Sequence, residues 1–354
     1  MAVKKYTINN QAFDQAQLIQ HCKNRLDACQ DWEKPNYRFI LEWLDPKAEF
    51  EVTTSGSTDA PKKMIVSRNQ MISSAAMTVE YFQLKPGDKV LHCLPSQFIS
   101  GKMMMVRGLE FGLNIYLTQP KSNPLEGLNE AFDFAAMTPM QAAHVLQNHK
   151  TEFCKIKKII LGGAPVSLQL EKQIMECDNE VFVTYGMTET LSHIAIRNLN
   201  GKRAGVSYHA LTGVTFKTDK RQCLSIDAPH LGIHNLQTND IVLLTSPVSF
   251  QFLGRADFAI NSGGIKIHPE KIEHQLAHIL RKPFFIHSEN DEILGQKIVL
   301  YIESPPMDES ELLRLRSTMK LYLQSYEMPK NIYFIPRFEY TATDKIIRKN
   351  YNIA

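Results

Sequence analysis

Short apolar runs alternate with stretches of helical hydrophobic period through roughly the first 190 residues. Glu49 to Thr53 reads as a strand that runs into a Ser/Thr-rich turn. Ser67 stands where a helix N-cap belongs, because Ile72, Ala75, Ala76, Val79 and Phe82 behind it fall on one face. Pro86-Gly87-Asp88 marks a turn and Lys89 to Leu94 a second strand. A helix is expected from about Ser100 to Phe111, with strands at Asn114 to Leu117 and Phe134 to Met137. Thr138 opens another helix, Lys158 to Leu161 is a strand, Ser167 caps a helix and Val181 to Tyr185 is a strand. Such alternation predicts a largely parallel α/β layer.

The pattern changes after about residue 210, where short strands dominate: Val214–Thr218, Cys223–Ile226 and Ile241–Leu244. A compact unit begins past Gly254. Pro269 takes the first position of a helix whose Ile272, Leu276, Ile279 and Leu280 form one stripe. A strand near Lys297 to Ile302, a helix from Asp308 to Leu323 and a strand at Ile332 to Ile335 complete it. A domain boundary is expected near Gly254–Phe258.

The length of 354 residues allows two or three domains, each with its own core. A formal charge of +3, with no long basic run, gives no footprint for nucleic acid. Hydrophobic content of 44% excludes a largely disordered chain. No apolar run is long enough to span a membrane, and Met1-Ala2-Val3-Lys4-Lys5 lacks the apolar core of a signal peptide. The six cysteines include no CxxC pair, which disfavours zinc or a disulfide framework and suits a reducing cytoplasm. The histidines show no metal-ligand spacing.

Four segments carry candidate chemistry. Thr53-Thr54-Ser55-Gly56-Ser57-Thr58-Asp59-Ala60-Pro61-Lys62-Lys63 is a hydroxyl-rich loop after a strand. Its glycine, N–H groups, hydroxyls and Lys62 could cradle a phosphate, although no GxxxxGK[ST] string occurs. Alone, it reads more simply as a polar turn. Tyr185-Gly186-Met187-Thr188-Glu189-Thr190 ends a strand with a hydroxyl beside a carboxylate, a pair suited to phosphate and Mg²⁺ but also ordinary at a strand end. Upstream, Leu161-Gly162-Gly163-Ala164-Pro165 lets a flat ligand lie on backbone. The third segment, Gly254-Arg255-Ala256-Asp257 through Gly263-Gly264-Ile265-Lys266-Ile267-His268-Pro269 to Glu273, joins charge and double glycine at the expected boundary. The fourth is Thr341-Ala342-Thr343-Asp344-Lys345-Ile346-Ile347-Arg348, whose lysine by itself would be a solvated surface residue.

In this order and spacing the four segments resemble the signature motifs of the ANL superfamily of adenylate-forming enzymes. The resemblance runs from about residue 50 to 348. It implies a large α/β domain over 1–254 with a small distorted β-barrel near 205–250. It implies also a hinge at 255–257 and a mobile α+β lid over 258–354. On this resemblance Thr54, Ser55, Gly56, Ser57, Thr58 and Lys62 embrace the ATP phosphates. Gly163, Ala164, Tyr185 and Gly186 line the adenine, and Asp240 with Arg255 binds the ribose. Thr188 touches the α-phosphate, and Glu189 ligates Mg²⁺. Asp257 is the hinge, and Lys345 bridges the substrate carboxylate and the α-phosphate. After rotation, Gly263, Gly264 and Lys266 would line a channel for coenzyme A. A homodimer is a family-level expectation.

Leu94-Pro95-Ser96-Gln97-Phe98-Ile99-Ser100-Gly101 with Arg107 resembles the corresponding stretch of the o-succinylbenzoate–CoA ligases of menaquinone biosynthesis. Phe98, Ser100, Gly101, Arg107 and Met187 are the implied acid-binding residues. Ser100 and Arg107 lie two helical turns apart on one face. A substrate with two carboxylates can be activated at one and held by a guanidinium at the other. Met103, Met104 and Met105 could pack on an aryl ring, although a Met-rich helix is more often core.

Asp59 and Lys63 stand where glycines are usual in the family, Phe98 replaces a common histidine, and Asp344 precedes the lysine where glycine is usual. Only 53 residues precede Thr54, so a trimmed N-terminal subdomain is expected. The expectation is an ATP-dependent acid–thiol ligase acting on o-succinylbenzoate. Two alternatives stand beside it: another aryl- or acyl-CoA ligase, and a degenerate nucleotide- or acyl-CoA-binding domain without turnover.

Overall fold

The computed structural model describes residues 4–53, 63–340 and 346–351. Thr54, Ser55, Gly56, Ser57, Thr58, Asp59 and Lys62, expected to bind the ATP phosphates, lie outside the described residues, as do Asp344 and Lys345. The chain forms two compact units. One comprises Met1–Val166, Leu170–Thr215 and Asp227–His234; the other comprises Ser167–Gln169, Phe216–Ile226 and Asn235–Ala354. The boundary expected at Gly254–Phe258 thus lies inside the second unit, which also takes in strands the sequence assigns to the large domain.

The first unit is built on β5 (Lys89–His92), β6 (Asn114–Leu117), β7 (Phe132–Met137), β8 (Ile156–Leu161) and β9 (Glu180–Gly186). These pair in parallel in the order β6-β5-β7-β8-β9. Their near-continuous apolar runs suit burial on both faces of the sheet, as parallel strands require. On one edge β1 (Tyr6–Ile8) pairs parallel to β6, with β2 (Gln11–Phe13) antiparallel beyond it. On the other, β10 (His193–Asn198) and β11 (Tyr208–Ala210) continue antiparallel. A separate hairpin of β3 (Phe50–Thr53) and β4 (Lys63–Val66) flanks the undescribed loop.

The helices are α1 (Gln15–Ala28), α2 (Lys34–Leu44), α3 (Arg68–Phe82), α4 (Ile99–Phe111), α5 (Pro139–Asn148), α6 (Lys150–Cys154) and α7 (Leu168–Met175). Ser67 caps α3 as expected, in a reciprocal box with Gln70, and Thr138 caps α5 the same way with Gln141. In α4 the consecutive Met103, Met104 and Met105 are all buried, so the helix is enclosed on every side and its methionines are core. Trp43 of α2 donates its indole N–H to Glu110 of α4 at 2.7 Å. Among the described residues no helix is long and apolar enough to cross a membrane.

In the second unit β12 (Thr215–Thr218), β13 (Cys223–Ala228), β14 (Ile233–Ser246) and β15 (Ser249–Arg255) run in sequence order, with β12 at the outer edge. The small distorted barrel expected near 205–250 falls largely on this run of strands. A second sheet has the order β17-β16-β19-β18, with β20 parallel to β19. Its strands are β16 (Ile260–Ser262), β17 (Ile265–Ile267), β18 (Phe284–Asp291), β19 (Gly295–Glu303) and β20 (Asn331–Ile335). Helices α8 (Pro269–Leu276) and α9 (Glu309–Met319) belong to the same unit, and Ile272, Leu276, Leu280, Met319 and Leu323 share one core with this sheet. Pro269 opens α8 as expected. The Ile279–Leu280 end of its apolar stripe lies past the helix, in turns accepted by Leu276 O.

His92 ends β5 inside the first core, within 3.0 Å of Asn36 Oδ1 and Ser96 Oγ through Nε2. Burial pushes its pKa down from 6.5 to about 4. The unfolded chain therefore takes up a proton below pH 6.5 that the folded chain refuses until about pH 4. Stability contributed above pH 6.5 is lost as the pH falls through that window. Urea unfolding should show a His92→Gln variant losing about 2–3 kcal/mol less than the parent between pH 7 and 4.5.

Candidate active site

Strand β5 lies between β6 and β7, so the chain's direction of progress across the sheet reverses there. Ligands of such open parallel sheets bind outside the carboxyl ends of the strands at this reversal. The candidate segments issue from those ends: Pro95–Gly101 after β5, Gly162–Pro165 after β8 and Met187–Glu189 after β9.

Phe98 is the N-cap of α4 and makes no side-chain cap. A Cβ on Gly101 would sit 2.3 Å from the Pro95 carbonyl oxygen, so this glycine seats the first turn of α4 directly on the preceding backbone. Ser100 is exposed at that end, and Arg107, only 1% exposed, lies about 10 Å further along the helix on the same face. The Arg107 Nη2 donates to Ser192 Oγ at 2.8 Å, and its buried Nε has no hydrogen-bond partner. Desolvation lowers the guanidinium pKa to about 9. Among the described residues no carboxylate forms an ion pair with Arg107.

The parallel register sets Leu161 beside Val183, which brings the two glycines after β8 alongside the end of β9. Gly162 is a packing glycine, since a Cβ there would meet Thr184 Oγ1 at 2.6 Å. Gly163 differs: its φ is +86° and a Cβ would touch nothing within 4 Å, which leaves open space above exposed backbone. Tyr185 packs edge-on against Tyr208 at 5.9 Å. Gly186 pairs with His193 of β10, and a Cβ on it would lie 2.4 Å from the Ser192 carbonyl oxygen. Its bareness thus has a packing cause inside the protein.

Thr188–Thr190 form a 3₁₀ turn, followed by Leu191 at φ +65° and ψ −44°. The Ser192 N–H donates to Thr190 O at 2.7 Å, closing a strained γ-turn of about 1–3 kcal/mol on a buried non-glycine residue. The buried Thr190 hydroxyl holds both sides, 3.0 Å from Met187 O and 2.8 Å from Ser192 O. Glu189, the middle residue of the 3₁₀ turn, is exposed, and the described residues contain no cluster of three metal-ligating side chains. One hard carboxylate beside the Thr188 hydroxyl fits Mg²⁺, which takes few protein ligands when substrate phosphates and water supply the rest.

In the second unit Asp240 on β14 faces Arg255 on β15, with Oδ1 and Nη1 3.5 Å apart. The same guanidinium donates through Nη2 to Asp257 at 2.6 Å. One cation thus links the expected ribose carboxylate to the expected hinge. The Arg255 N–H donates to Glu270 Oε1 at 3.2 Å, and burial raises the Glu270 pKa. Gly263 and Gly264, at φ +58° and +81°, are the two central residues of the β16–β17 hairpin, which requires positive φ at both. Lys266 is exposed on β17 opposite Asn261.

The residues flanking the undescribed 341–345 segment are firmly held. Tyr340 bridges Ile346, and the Phe338 N–H and Tyr340 O–H each donate to Glu303 Oε2 at 2.8 Å. Arg348 donates to Glu273 at 2.7 Å and lies over the Phe258 ring. Ser192, His193 and Glu303 lie outside the motif segments, and Glu270 lies inside the third segment with no role assigned to it from sequence. Ser192 and His193 directly follow the Tyr185–Thr190 motif.

The family model of the AMP-binding enzymes matches residues 42–218. A 2-succinylbenzoate–CoA ligase of Listeria monocytogenes is 26% identical over 344 residues, covering 90% of this chain and 72% of its own length. An acyl-CoA synthetase (AMP-forming)/AMP-acid ligase II-like protein from Dyadobacter fermentans has a crystal structure 41% identical in sequence. It covers 92% of this chain and 95% of its own, with a TM-score of 0.62. The o-succinylbenzoate CoA synthetase (MenE) of Bacillus subtilis, solved with the acyl-adenylate intermediate OSB-AMP, has a TM-score of 0.79 at 18% identity. It covers 99% of this chain and 96% of its own, and shows the same fold.

Gly101→Ala should lower stability by about 1–3 kcal/mol, because the added methyl has only rigid backbone to displace. A fall in thermal midpoint with an unchanged far-UV spectrum checks it; no fall would show that α4 can lift from Pro95 without cost.

Proposed function

The chain belongs to the AMP-binding enzyme family and is an AMP-forming acid–CoA ligase; from that premise we propose that its acid is 2-succinylbenzoate, activated with ATP and Mg²⁺ and passed to coenzyme A. The observation that carries this reading is Arg107. A buried cation that, among the described residues, has no ion-paired carboxylate and an N–H without a partner suits an acid that brings a second negative charge. The relatives named 2-succinylbenzoate–CoA ligases support the same choice.

In the reaction a carboxylate attacks the α-phosphate, so two anions must approach each other. The barrier is largely electrostatic, and preorganised donors lower it. Thr188 and Lys345 would bind the oxygens on which charge grows, while Lys62 and the Thr54–Thr58 loop hold the leaving pyrophosphate. Glu189 would hold Mg²⁺, which would supply neutralisation of phosphate charge. Asp240 and Arg255 take the ribose, and Gly163, Ala164, Tyr185 and Gly186 the adenine. Phe98, Ser100, Gly101 and Met187 border the acid. Thioester formation then follows a rotation of the C-terminal part about Asp257, which withdraws Lys345 and brings in Gly263, Gly264 and Lys266.

Pyrophosphate release over 2-succinylbenzoate, 4-phenylbutyrate, benzoate and a medium-chain fatty acid tests the substrate. Selective turnover of the first, with coenzyme A needed for multiple turnovers, is the expected result. Arg107→Ala should lower kcat/KM for 2-succinylbenzoate by about 10²-fold or more while sparing any mono-acid turnover. Equal losses on both would overturn the role given to Arg107. Lys345→Ala should cost adenylate formation about 10²–10³-fold, yet largely spare thioester formation from supplied acyl-adenylate. Equal loss in both halves would remove the case for rotation.

A further inference from the structure

Arg107 is held by a chain of hydrogen bonds that leads away from it to the backbone of α3. Its Nη2 lies 2.8 Å from Ser192 Oγ, and Ser192 Oγ lies 3.3 Å from His193 Nδ1. The other imidazole nitrogen, Nε2, is 3.2 Å from Thr78 Oγ1, which in turn is 3.5 Å from the Ser74 carbonyl. All five residues belong to the first unit.

The two ends of this chain fix its direction. A guanidinium can only donate, and a backbone carbonyl can only accept. Arg107 therefore donates a hydrogen bond to Ser192 Oγ, whose own O–H donates to Nδ1 of His193. That nitrogen must carry a lone pair, so the proton sits on Nε2 and is donated to Thr78. The Thr78 hydroxyl completes the run by donating to Ser74 O. The assignment requires a neutral imidazole of the Nε2–H form. Burial, and the Arg107 charge beside it, hold the His193 pKa well below its usual value, which agrees. The backbone serves the same end: the strained turn at Leu191, gripped by Thr190, delivers Ser192 and His193 to this place.

We propose that Ser192, His193 and Thr78 are positioning residues for substrate choice: a one-way hydrogen-bond relay that fixes the Arg107 guanidinium and leaves its Nε–H for an incoming carboxylate. This rests on the reading of Arg107 as the partner of the acid's second carboxylate. Without the relay a buried arginine could turn its free N–H toward any nearby carbonyl and lose the pre-set fork. Selectivity for a dianionic acid over a mono-anionic one then depends on residues that touch no substrate.

The first test is the ¹⁵N spectrum of the imidazoles of the full chain at pH 7, with His193 assigned by His193→Gln. A neutral Nε2–H tautomer is expected. A Nδ1–H tautomer or a cation overturns the relay. The second is the ratio of kcat/KM for 2-succinylbenzoate over 4-oxo-4-phenylbutanoate, which lacks the ring carboxylate. Thr78→Val should lower that ratio about tenfold, mainly through KM for the dianion, and Thr78→Ser should restore it. An unchanged ratio in a folded Thr78→Val protein overturns the proposal, and if that variant does not fold the spectrum decides. A parent enzyme with no preference for the dianion removes the substrate reading instead, and leaves the relay to stand or fall on the tautomer.

Discussion

A guanidinium buried in the core is the constraint around which the first unit is arranged. Taking such a charge out of water costs several kcal/mol even after relaxation, and an unpaired one is tolerated only where something else is gained. Here the protein supplies one neutral acceptor, Ser192, and no carboxylate among the described residues. Several other features follow from keeping that arrangement. Helix α4 must be enclosed on all sides, hence three successive methionines in core and a bare Gly101 against Pro95 O. Strand β9 must let Ser192 pass close, hence a bare Gly186. The chain must then turn back within one residue, hence the strained Leu191.

The second unit applies a similar economy of charge at Arg255. One side chain faces Asp240 and Asp257, while its backbone N–H is held by Glu270. Asp240 and Asp257 thus share one cation, and a change at either carboxylate alters the electrostatics of the other. The Glu270 carboxyl closes the arrangement from below: its Oε2 leaves no space for a side chain at Gly254, where a Cβ would stand 2.7 Å away.

What could be read from the chain alone was short-range. The caps at Ser67 and Thr138 and the opening proline at Pro269 were legible because a helix start is decided within four residues. The sheet core was legible because parallel strands are near-continuous apolar runs. The three-residue strands β1, β2, β16 and β17 offered too few positions for a period to show. The polar second half of β18, Ser288 to Asp291, hid that strand's pairing with β19. Motif residues were legible as a pattern, but their reasons were not. Arg107 was expected to meet an acid, while its partner Ser192 is 85 positions away and Thr78 is 115 from His193. No local signal marks a hydrogen bond made across such a separation.

The motif glycines show why pattern and cause must be kept apart. Gly162, Gly186, Gly101 and the Gly263–Gly264 pair all look, in sequence, like places where a ligand nears backbone. In the structure Gly162, Gly186 and Gly101 are bare because another part of the protein occupies the side-chain position, and the pair is required by a hairpin turn. Gly163 and Gly264 both combine positive φ with open space, but the hairpin accounts for Gly264, whereas neither a hairpin nor a packed neighbour accounts for Gly163. The same distinction applies to charge. An exposed arginine would be screened by salt and would accept any anion, whereas a buried one makes its unmet N–H costly until a matching carboxylate arrives. On the function proposed above, discrimination comes from what the wrong acid leaves unpaired, a cost that includes the full desolvation penalty of the orphaned group.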